Sequence, residues 1–345
     1  MNKTQRTQAP ATPATMWGIA GVHPAKDVFG FPLGANPNSD LKVRVFNQEA
    51  AFCGLPRYRL RKDPVEAVLA SLGGYGSPNL WVYGPTGAGK TSTLEDILRK
   101  LGRSYALVGC SPDPDMVHSL KGQLVVKGPD QWVFQDGPLT RAVREGAVLL
   151  LDEGDSLDRT ILTELNPVLD GKPLLIPQTG EKVVPHPEFR VFLTGNTNGH
   201  GDPYGQYRRG KADVSFLNRF DFLEMSYMDI EDEVAVVKSA VPQMAGAAQE
   251  PILRAVIGMA ADVRKLFTSD TEANMSTRPT SMLSTRGIVS WMKNLVFFRA
   301  MGHPEPLRRA FEKAHLAGCN PADRLYYEGV FDAALKGLLG EAGRK

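Results

Sequence analysis

Cysteine is scarce in this sequence: Cys53, Cys110 and Cys319 are the three cysteines among 345 residues. Their odd number and wide spacing exclude a disulfide framework and give no zinc-binding pattern. The six histidines also lack the spacing of metal ligands, so we expect each to be an ordinary surface or core residue. These absences predict reduced thiols and no metal site built from cysteine or histidine.

A charge excess of either sign is also missing, since 40 Lys and Arg residues are balanced by 38 Asp and Glu residues, for a net charge of +2. This balance gives no general attraction to nucleic acid or to an anionic membrane. No apolar run reaches the length that spans a bilayer, and the N-terminal residues do not form an apolar signal core. We therefore expect a cytoplasmic protein that does not associate with membranes.

A glycine-rich segment, Gly84-Pro-Thr-Gly-Ala-Gly-Lys90-Thr91, is the most informative pattern present. It follows an apolar run typical of a buried strand, residues 79–83, and precedes residues 92–101, which have apolar residues at helical spacing. In a strand–turn–helix of this kind, backbone N–H groups and the helix N-terminus bind phosphate. We predict that Lys90 contacts the β- and γ-phosphates of a nucleotide and that Thr91 binds Mg²⁺; the alternative is a turn without a ligand. The predicted nucleotide-binding residues are Gly84, Pro85, Thr86, Gly87, Ala88, Gly89, Lys90, Thr91 and Ser92.

Polar residues follow two further predicted strands. Asp152 and Glu153 come directly after residues 146–151, and Asn196 follows residues 189–194. In P-loop enzymes an acidic residue at such a strand tip holds Mg²⁺, and a second carboxylate can polarise the attacking water. We assign Asp152 to the metal, Glu153 to general base catalysis and Asn196 to orienting the water. The alternatives are acidic helix caps and a simple turn asparagine.

An arginine that could act on a neighbouring subunit follows in residues 216–221, which the sequence predicts to be a helix end leading into a strand at 222–226. Arg219 in this segment is a candidate arginine finger, which would reach the γ-phosphate of an adjacent protomer. The alternative is a surface arginine paired with Asp221.

These motifs resemble those of AAA+ ATPases of the MoxR and chelatase branch, and most closely the CobS-type ATPase subunit of aerobic cobaltochelatase. The resemblance runs from about residue 28 to about residue 300. Besides the motifs above, it includes residues 28–30 and 39–43, 134–139, 184–190, 194–202, Tyr207, Gly210, and Ser284-Thr285-Arg286.

The resemblance implies an α/β fold, a P-loop AAA+ core of three layers with a parallel sheet, followed by a small helical lid domain. It implies ATP and Mg²⁺ as cofactors, Asn196 as first sensor, Arg219 as arginine finger and Arg286 as second sensor. The sequence departs from the family pattern at Asn218, where an acidic residue is common, and at Thr285, where proline is common.

The second sensor has two candidates. Arg278 lies just upstream, in Ser276-Thr-Arg-Pro279, and competes with Arg286 for the role. We prefer Arg286 because an apolar helical pattern follows it directly.

Four regions are predicted along the chain. They are a disordered N-terminal tail at 1–16, a CobS-like lead-in segment at 17–78, an AAA+ α/β nucleotide-binding core at 79–228 and a helical lid domain at 229–345. Residues 174–184 predict a hairpin, which in this branch faces the ring pore; the alternative is an ordinary surface hairpin. Trp132-Val-Phe134 is a second candidate pore or partner contact, although aromatic residues at this spacing are more often core.

The implied function is that of a ring-forming ATPase, a homo-oligomer expected to be hexameric, with ATP bound between adjacent subunits. It would remodel a partner protein, and a protein with a von Willebrand factor A domain is the expected partner. One alternative is the cobaltochelatase motor proper, which drives metal insertion into a corrin ring, and another is chaperone work unrelated to cobalamin. A DNA-directed motor is a third, since residues 204–211 form a basic patch with interleaved tyrosines, but an interface loop explains this patch more simply.

Overall fold

The computed structural model describes residues 19–31, 42–46, 60–129, 131–201, 210–268 and 279–342. Two compact units are present. The first comprises Leu60–Tyr83 and Thr93–Glu224 together with the described N-terminal residues, and the second comprises Gly84–Ser92 and the residues from Met225 onward. The predicted tail at 1–16, Tyr207, Arg278 and most of the basic patch lie outside the described residues.

The described strands and helices alternate through the first unit and are helical through most of the second. The strands are β1 (Ile19–Pro24), β2 (Lys42–Phe46), β3 (Asn79–Tyr83), β4 (Tyr105–Gly109), β5 (Gly122–Gly128), β6 (Gln131–Asp136), β7 (Val148–Asp152), β8 (Leu174–Ile176), β9 (Glu181–Val183), β10 (Arg190–Gly195) and β11 (Asp221–Glu224). The helices are α1 (Ala25–Phe29), α2 (Lys62–Gly73), α3 (Lys90–Lys100), α4 (Met116–Lys121), α5 (Pro138–Glu145), α6 (Arg159–Leu169), α7 (Val214–Leu217), α8 (Ile230–Ala240), α9 (Glu250–Thr268), α10 (Thr285–Ala300), α11 (Pro306–Ala314) and α12 (Pro321–Ala342).

A five-stranded parallel sheet forms the centre of the first unit, in the order β11-β3-β10-β7-β4. The middle strands β3, β7 and β10 are apolar and almost entirely buried, as expected where helices cover both faces of a parallel sheet. The predicted α/β fold with a parallel sheet is therefore confirmed.

The register of this sheet brings the strand tips to one edge. Gly195 at the end of β10 is level with Tyr83 at the end of β3, and Tyr83 is level with Glu224 at the end of β11. Asp152 at the end of β7 is level with Gly109 at the end of β4. Residues that follow these strands therefore begin at a common edge, where parallel α/β sheets bind their ligands.

The second unit is a helical cluster from α8 to α12, in agreement with the predicted helical C-terminal part. Its core includes the stacked rings of Trp291, Phe311 and Phe331, all of which are buried. Two of the helices begin at side-chain caps, where Asp229 accepts a hydrogen bond from the Asp232 N–H and Ser284 accepts one from the Gly287 N–H. None of the helices in the described residues is long and apolar enough to cross a membrane.

In the described part of the chain, three antiparallel strand pairs lie outside the main sheet: β1–β2, β5–β6 and β8–β9. The β8–β9 pair confirms the hairpin predicted at 174–184, while its position at a pore stays a prediction. The β5–β6 pair was not predicted as a hairpin. On it Trp132 is 64% exposed, so this aromatic residue is not part of the core, whereas Phe134 packs against the core.

Candidate active site

The phosphate-loop segment Gly84–Ser92 belongs to the second unit and wraps around its own lysine. The Lys90 ammonium is buried and donates hydrogen bonds to the carbonyl oxygens of Gly84 (2.8 Å) and Pro85 (3.0 Å). Thr91 and Ser92 lie in the first turn of α3, which begins at Lys90. A cation, a hydroxyl group and the N-terminus of an 11-residue helix are thus gathered in one short segment. This donor set fits a phosphate chain.

Two glycines are required for this shape. Gly84 and Gly87 have φ values of 145° and 80°, which side chains rarely tolerate. A Cβ at Gly84 would collide with the Met225 carbonyl oxygen, and one at Gly87 would collide with the side chain of Ser284. The loop therefore packs closely against its own unit as well as curling around Lys90.

The acidic pair lies at the tip of β7 in the first unit, and Thr194 of β10 connects its two members. The buried Thr194 hydroxyl donates to Asp152 Oδ1 at 2.6 Å and accepts a hydrogen bond from the Glu153 N–H at 3.1 Å. A single hydroxyl thus fixes the Asp152 carboxylate and the backbone of Glu153 to the neighbouring strand. Sequence reasoning missed this role, because a threonine inside an apolar strand gives no local signal.

Glu153 has an unusual backbone conformation. Its φ is 55°, and it is the one residue other than glycine with a positive φ in the described part of the chain. Left-handed conformations cost of order 1–3 kcal/mol for such residues and tend to occur at functional sites. Its side chain is exposed, and a short 3₁₀ helix at Gly154–Ser156 follows directly. The strained turn lets the chain leave β7 abruptly and present Glu153 at the tip.

The backbone of Asn196 is held by the carboxylate of Asp155, a residue that was not among the predicted site residues. Asp155 is buried, and its Oδ2 accepts hydrogen bonds from the N–H groups of Asn196 (2.8 Å) and Thr197 (3.0 Å) and from the Thr197 hydroxyl (3.2 Å). The indole N–H of buried Trp81 donates to the Thr197 carbonyl at 3.1 Å. The loop that carries Asn196 is therefore fixed by groups from β3 and from the turn after β7. The structure thus joins Asp152 to Glu153 through Thr194 and fixes Asn196 through Asp155, at the tips of the neighbouring strands β7 and β10.

The Cys110 thiol, which lies beside the acidic pair, is not reactive at neutral pH. The Cys110 N–H donates to the Asp152 carbonyl at 2.8 Å. Burial, and then the charges of Asp152, Asp155 and Glu153, raise the pKa of the Cys110 thiol to about 12. Since the thiolate is the nucleophilic form of cysteine, Cys110 does not contribute a nucleophile at neutral pH.

Arg219 lies on the segment between α7 and β11. It pairs with a carboxylate that is not part of the acidic pair. Its guanidinium binds the Asp170 carboxylate in a bidentate manner, with Nε–Oδ1 at 2.7 Å and Nη2–Oδ2 at 3.0 Å. This pairing raises the pKa of Arg219 and lowers that of Asp170. The alternative pairing with Asp221 is wrong, because Asp221 instead accepts a hydrogen bond from the Ser77 N–H at 2.9 Å.

Arg286 lies in the first turn of α10 in the second unit, one residue after Thr285. Its side chain is exposed and makes no hydrogen bond or ion pair with any residue that the structure describes. An arginine in this state is available to an anionic ligand, as a second sensor has to be. Its role, like those of the other site residues, stays a prediction.

Similar proteins are known for the region that carries these residues. Residues 79–220 match the family described as AAA domain (dynein-related subfamily). Protein NorQ of Paracoccus denitrificans is 32% identical over 196 residues, which are 56% of this chain and 68% of NorQ. The denitrification regulatory protein NirQ of Stutzerimonas stutzeri is 30% identical over 205 residues, 59% of this chain and 70% of NirQ. Midasin of Dictyostelium discoideum is 37% identical over 155 residues, 44% of this chain but 2% of midasin.

The family match runs from the strand before the phosphate loop to the residue after Arg219 and does not reach Arg286. The matched region therefore contains the phosphate loop, the acidic pair, the candidate first sensor Asn196 and the candidate finger Arg219.

Proposed function

Because this chain belongs to the MoxR branch of the AAA+ ATPases, we propose that it is the ATP-driven motor of a ring that remodels a partner protein. It is an ATPase, and ATP with Mg²⁺ is the proposed cofactor pair. The observation that carries the proposal is the cluster at the tips of β7 and β10, in which Thr194 joins Asp152 to the strained Glu153. Such a cluster is suited to hydrolysis, because it fixes both a metal-side carboxylate and a base.

The phosphate loop would bind the nucleotide by exchanging its internal hydrogen bonds for external ones. Lys90 would move its ammonium from the Gly84 and Pro85 carbonyls to phosphate oxygens, while Thr91 and Asp152 would hold Mg²⁺. Bound Mg²⁺ would neutralise charge on the phosphates, and one hydroxyl and one carboxylate are an ordinary protein share of its ligands.

Glu153 and Asn196 would act on the attacking water. Glu153 takes its proton as general base, and the exposed position of the side chain leaves room for water beside it. Asn196 orients the water, since Asp155 fixes the backbone of the loop that carries Asn196.

Arg219 and Arg286 would complete the site around the γ-phosphate. We propose that Arg219 serves the nucleotide of the adjoining protomer, for which it must leave Asp170. Ion pairs near the surface are worth about 0–1 kcal/mol, so a phosphate of higher charge can displace this carboxylate. Arg286 would come from the helical lid of the protomer that binds the nucleotide.

The partner-binding surface that we propose is one face of the β5–β6 hairpin. Leu124, Val126 and Trp132 are exposed on this face, with Val126 opposite Trp132 in the register. Exposed apolar side chains clustered in this way commonly mark a protein contact. The CobS-type resemblance extends the proposal to a partner with a von Willebrand factor A domain.

Substitution of the proposed base tests this function. Glu153→Gln should bind ATP with nearly unchanged affinity but hydrolyse it at least about a hundredfold more slowly, because only the proton acceptor is lost. Binding of a fluorescent ATP analogue and phosphate release would measure the two effects. Glu305→Gln, which changes an exposed carboxylate on the second unit, is the matched control. Wild-type turnover by Glu153→Gln would refute the assignment.

A further inference from the structure

A buried ion pair in the second unit has no part in the function proposed so far. Glu233 of α8 accepts two hydrogen bonds from the Arg264 guanidinium of α9, at 2.7 and 2.9 Å, and both side chains are almost fully buried. Burying two charges is costly, and such pairs often add little to stability compared with apolar residues of the same size. The pair therefore calls for an explanation beyond packing.

Both members of this pair also bind the start of α10. The Thr285 hydroxyl donates to Glu233 Oε1 at 2.6 Å, and Arg264 Nε donates to the Leu283 carbonyl at 2.8 Å. Leu283 and Thr285 flank the helix cap Ser284, and Thr285 immediately precedes Arg286. The ion pair thus holds the backbone and a side chain directly before the candidate second sensor.

The other side of the ion pair leads to the phosphate loop. The Arg264 guanidinium lies 4.4 Å from the centre of the Tyr227 ring, within cation–π distance. The Tyr227 hydroxyl donates a hydrogen bond to the Thr86 carbonyl at 2.7 Å and also contacts the sulfur of Met282. Close packing of Gly87 against Ser284 provides a second connection between the loop and the helix cap.

We infer that Tyr227, Arg264, Glu233 and Thr285 form a positioning network that ties the phosphate loop to the start of α10. The network sets the position of Arg286 relative to the phosphate loop. None of its members needs to touch the nucleotide; each acts through the loop or through Arg286. This inference rests on the proposed function, because it assigns to the network the placement of the second sensor.

Hydrogen exchange in the nucleotide-free protein tests directly whether the network connects the phosphate loop to the start of α10. Tyr227→Phe removes one hydroxyl and should raise amide exchange both in residues 84–92 and in residues 284–287. Tyr326→Phe is the matched control, because the Tyr326 hydroxyl makes no hydrogen bond within the described residues and that variant should exchange like the wild type. Unchanged exchange at the loop and the helix start in Tyr227→Phe would overturn the inference.

Steady-state kinetics then test whether the network positions Arg286. One hydrogen bond of this kind is worth roughly a fivefold effect, so Tyr227→Phe should lower kcat by about that factor. In an Arg286→Ala background the same substitution should scarcely change kcat further, since the group being positioned is gone. Equal effects on kcat with and without Arg286 would contradict the network.

A second pair of variants guards against a simple loss of folding. Thr285→Val removes the hydrogen bond to Glu233 and should act like Tyr227→Phe, whereas Thr285→Ser keeps the hydroxyl and should restore kcat. Failure of serine to restore activity would count against the network. A wild-type protein that binds no ATP would contradict the proposed function. The hydrogen-exchange comparison in the nucleotide-free protein would still show whether the phosphate loop and the start of α10 are connected.

Discussion

At the residue scale, Thr194 is the group on which the acidic site depends most. Its hydroxyl is both donor to Asp152 and acceptor from Glu153, so it uses its hydrogen-bonding capacity on the two residues that carry the chemistry. Because the hydroxyl is buried, neither partner can replace it readily with water. A group satisfied in this way fixes geometry more than it adds affinity.

Thr194→Val should therefore affect turnover more than ATP binding. Valine has the same shape but removes the hydroxyl that the Asp152 carboxylate and the Glu153 N–H bind, which should cost about 1–3 kcal/mol in the free energy of unfolding. Urea denaturation and steady-state kinetics would measure both losses. Thr194→Ser, which retains the hydroxyl, should keep most of the activity. A valine variant with wild-type kcat would show that the bridge has no catalytic role.

At the element scale, the elements with strong local patterns could be predicted from the sequence. The strand, glycine-rich turn and helix around Lys90 follow from composition and spacing, and so does the helical character of the C-terminal part. The hairpin β5–β6 was missed, because three of its apolar residues, Leu124, Val126 and Trp132, are exposed rather than buried within the chain. The roles of Thr194 and Asp155 could not be predicted, since they depend on contacts between residues about 40 positions apart.

Arg219 shows the same limit. The sequence left a pairing with the neighbouring Asp221 as the alternative to the finger role of Arg219, whereas the structure pairs Arg219 with Asp170, which lies 49 positions away. Local sequence indicates where a charged side chain occurs, but tertiary packing of α6 against α7 decides which partner it finds.

The end of α11 provides a pH-sensitive contact at this scale. His315 stacks on Phe311 and meets the edge of Tyr327, and burial lowers its pKa to about 4, with Asp323 opposing the shift. The folded pKa is depressed below the unfolded value of about 6.5. The stabilisation is therefore complete above that value and is lost as the pH falls from about 6.5 towards 4.

Lowering the pH from 7 to 5 should therefore destabilise the wild type by about 1–2 kcal/mol more than a His315→Gln variant, because glutamine does not titrate in this range. Urea unfolding followed by circular dichroism at the two pH values would measure the difference. Equal pH dependence in the two proteins would show that His315 is not the responsible group.

At the scale of the whole molecule, the proposed mechanism requires two protomers to share one nucleotide. The phosphate loop and the acidic pair would come from one protomer and Arg219 from the next, so neither subunit would be a complete enzyme. In a ring of identical subunits, every interface repeats the same heterologous contact. Two variants with different defects can therefore complement each other at some of the interfaces.

Mixing Lys90→Ala with Arg219→Ala tests whether adjacent protomers share one ATP site. Each variant alone should be almost inactive, since one lacks the phosphate contact and the other lacks the finger. Random co-assembly in equal amounts should restore turnover to about one quarter of the wild-type value, because an intact loop then faces an intact finger at that share of the interfaces. A mixture that is as inactive as its components, under conditions in which the wild type assembles and hydrolyses ATP, would contradict the shared site.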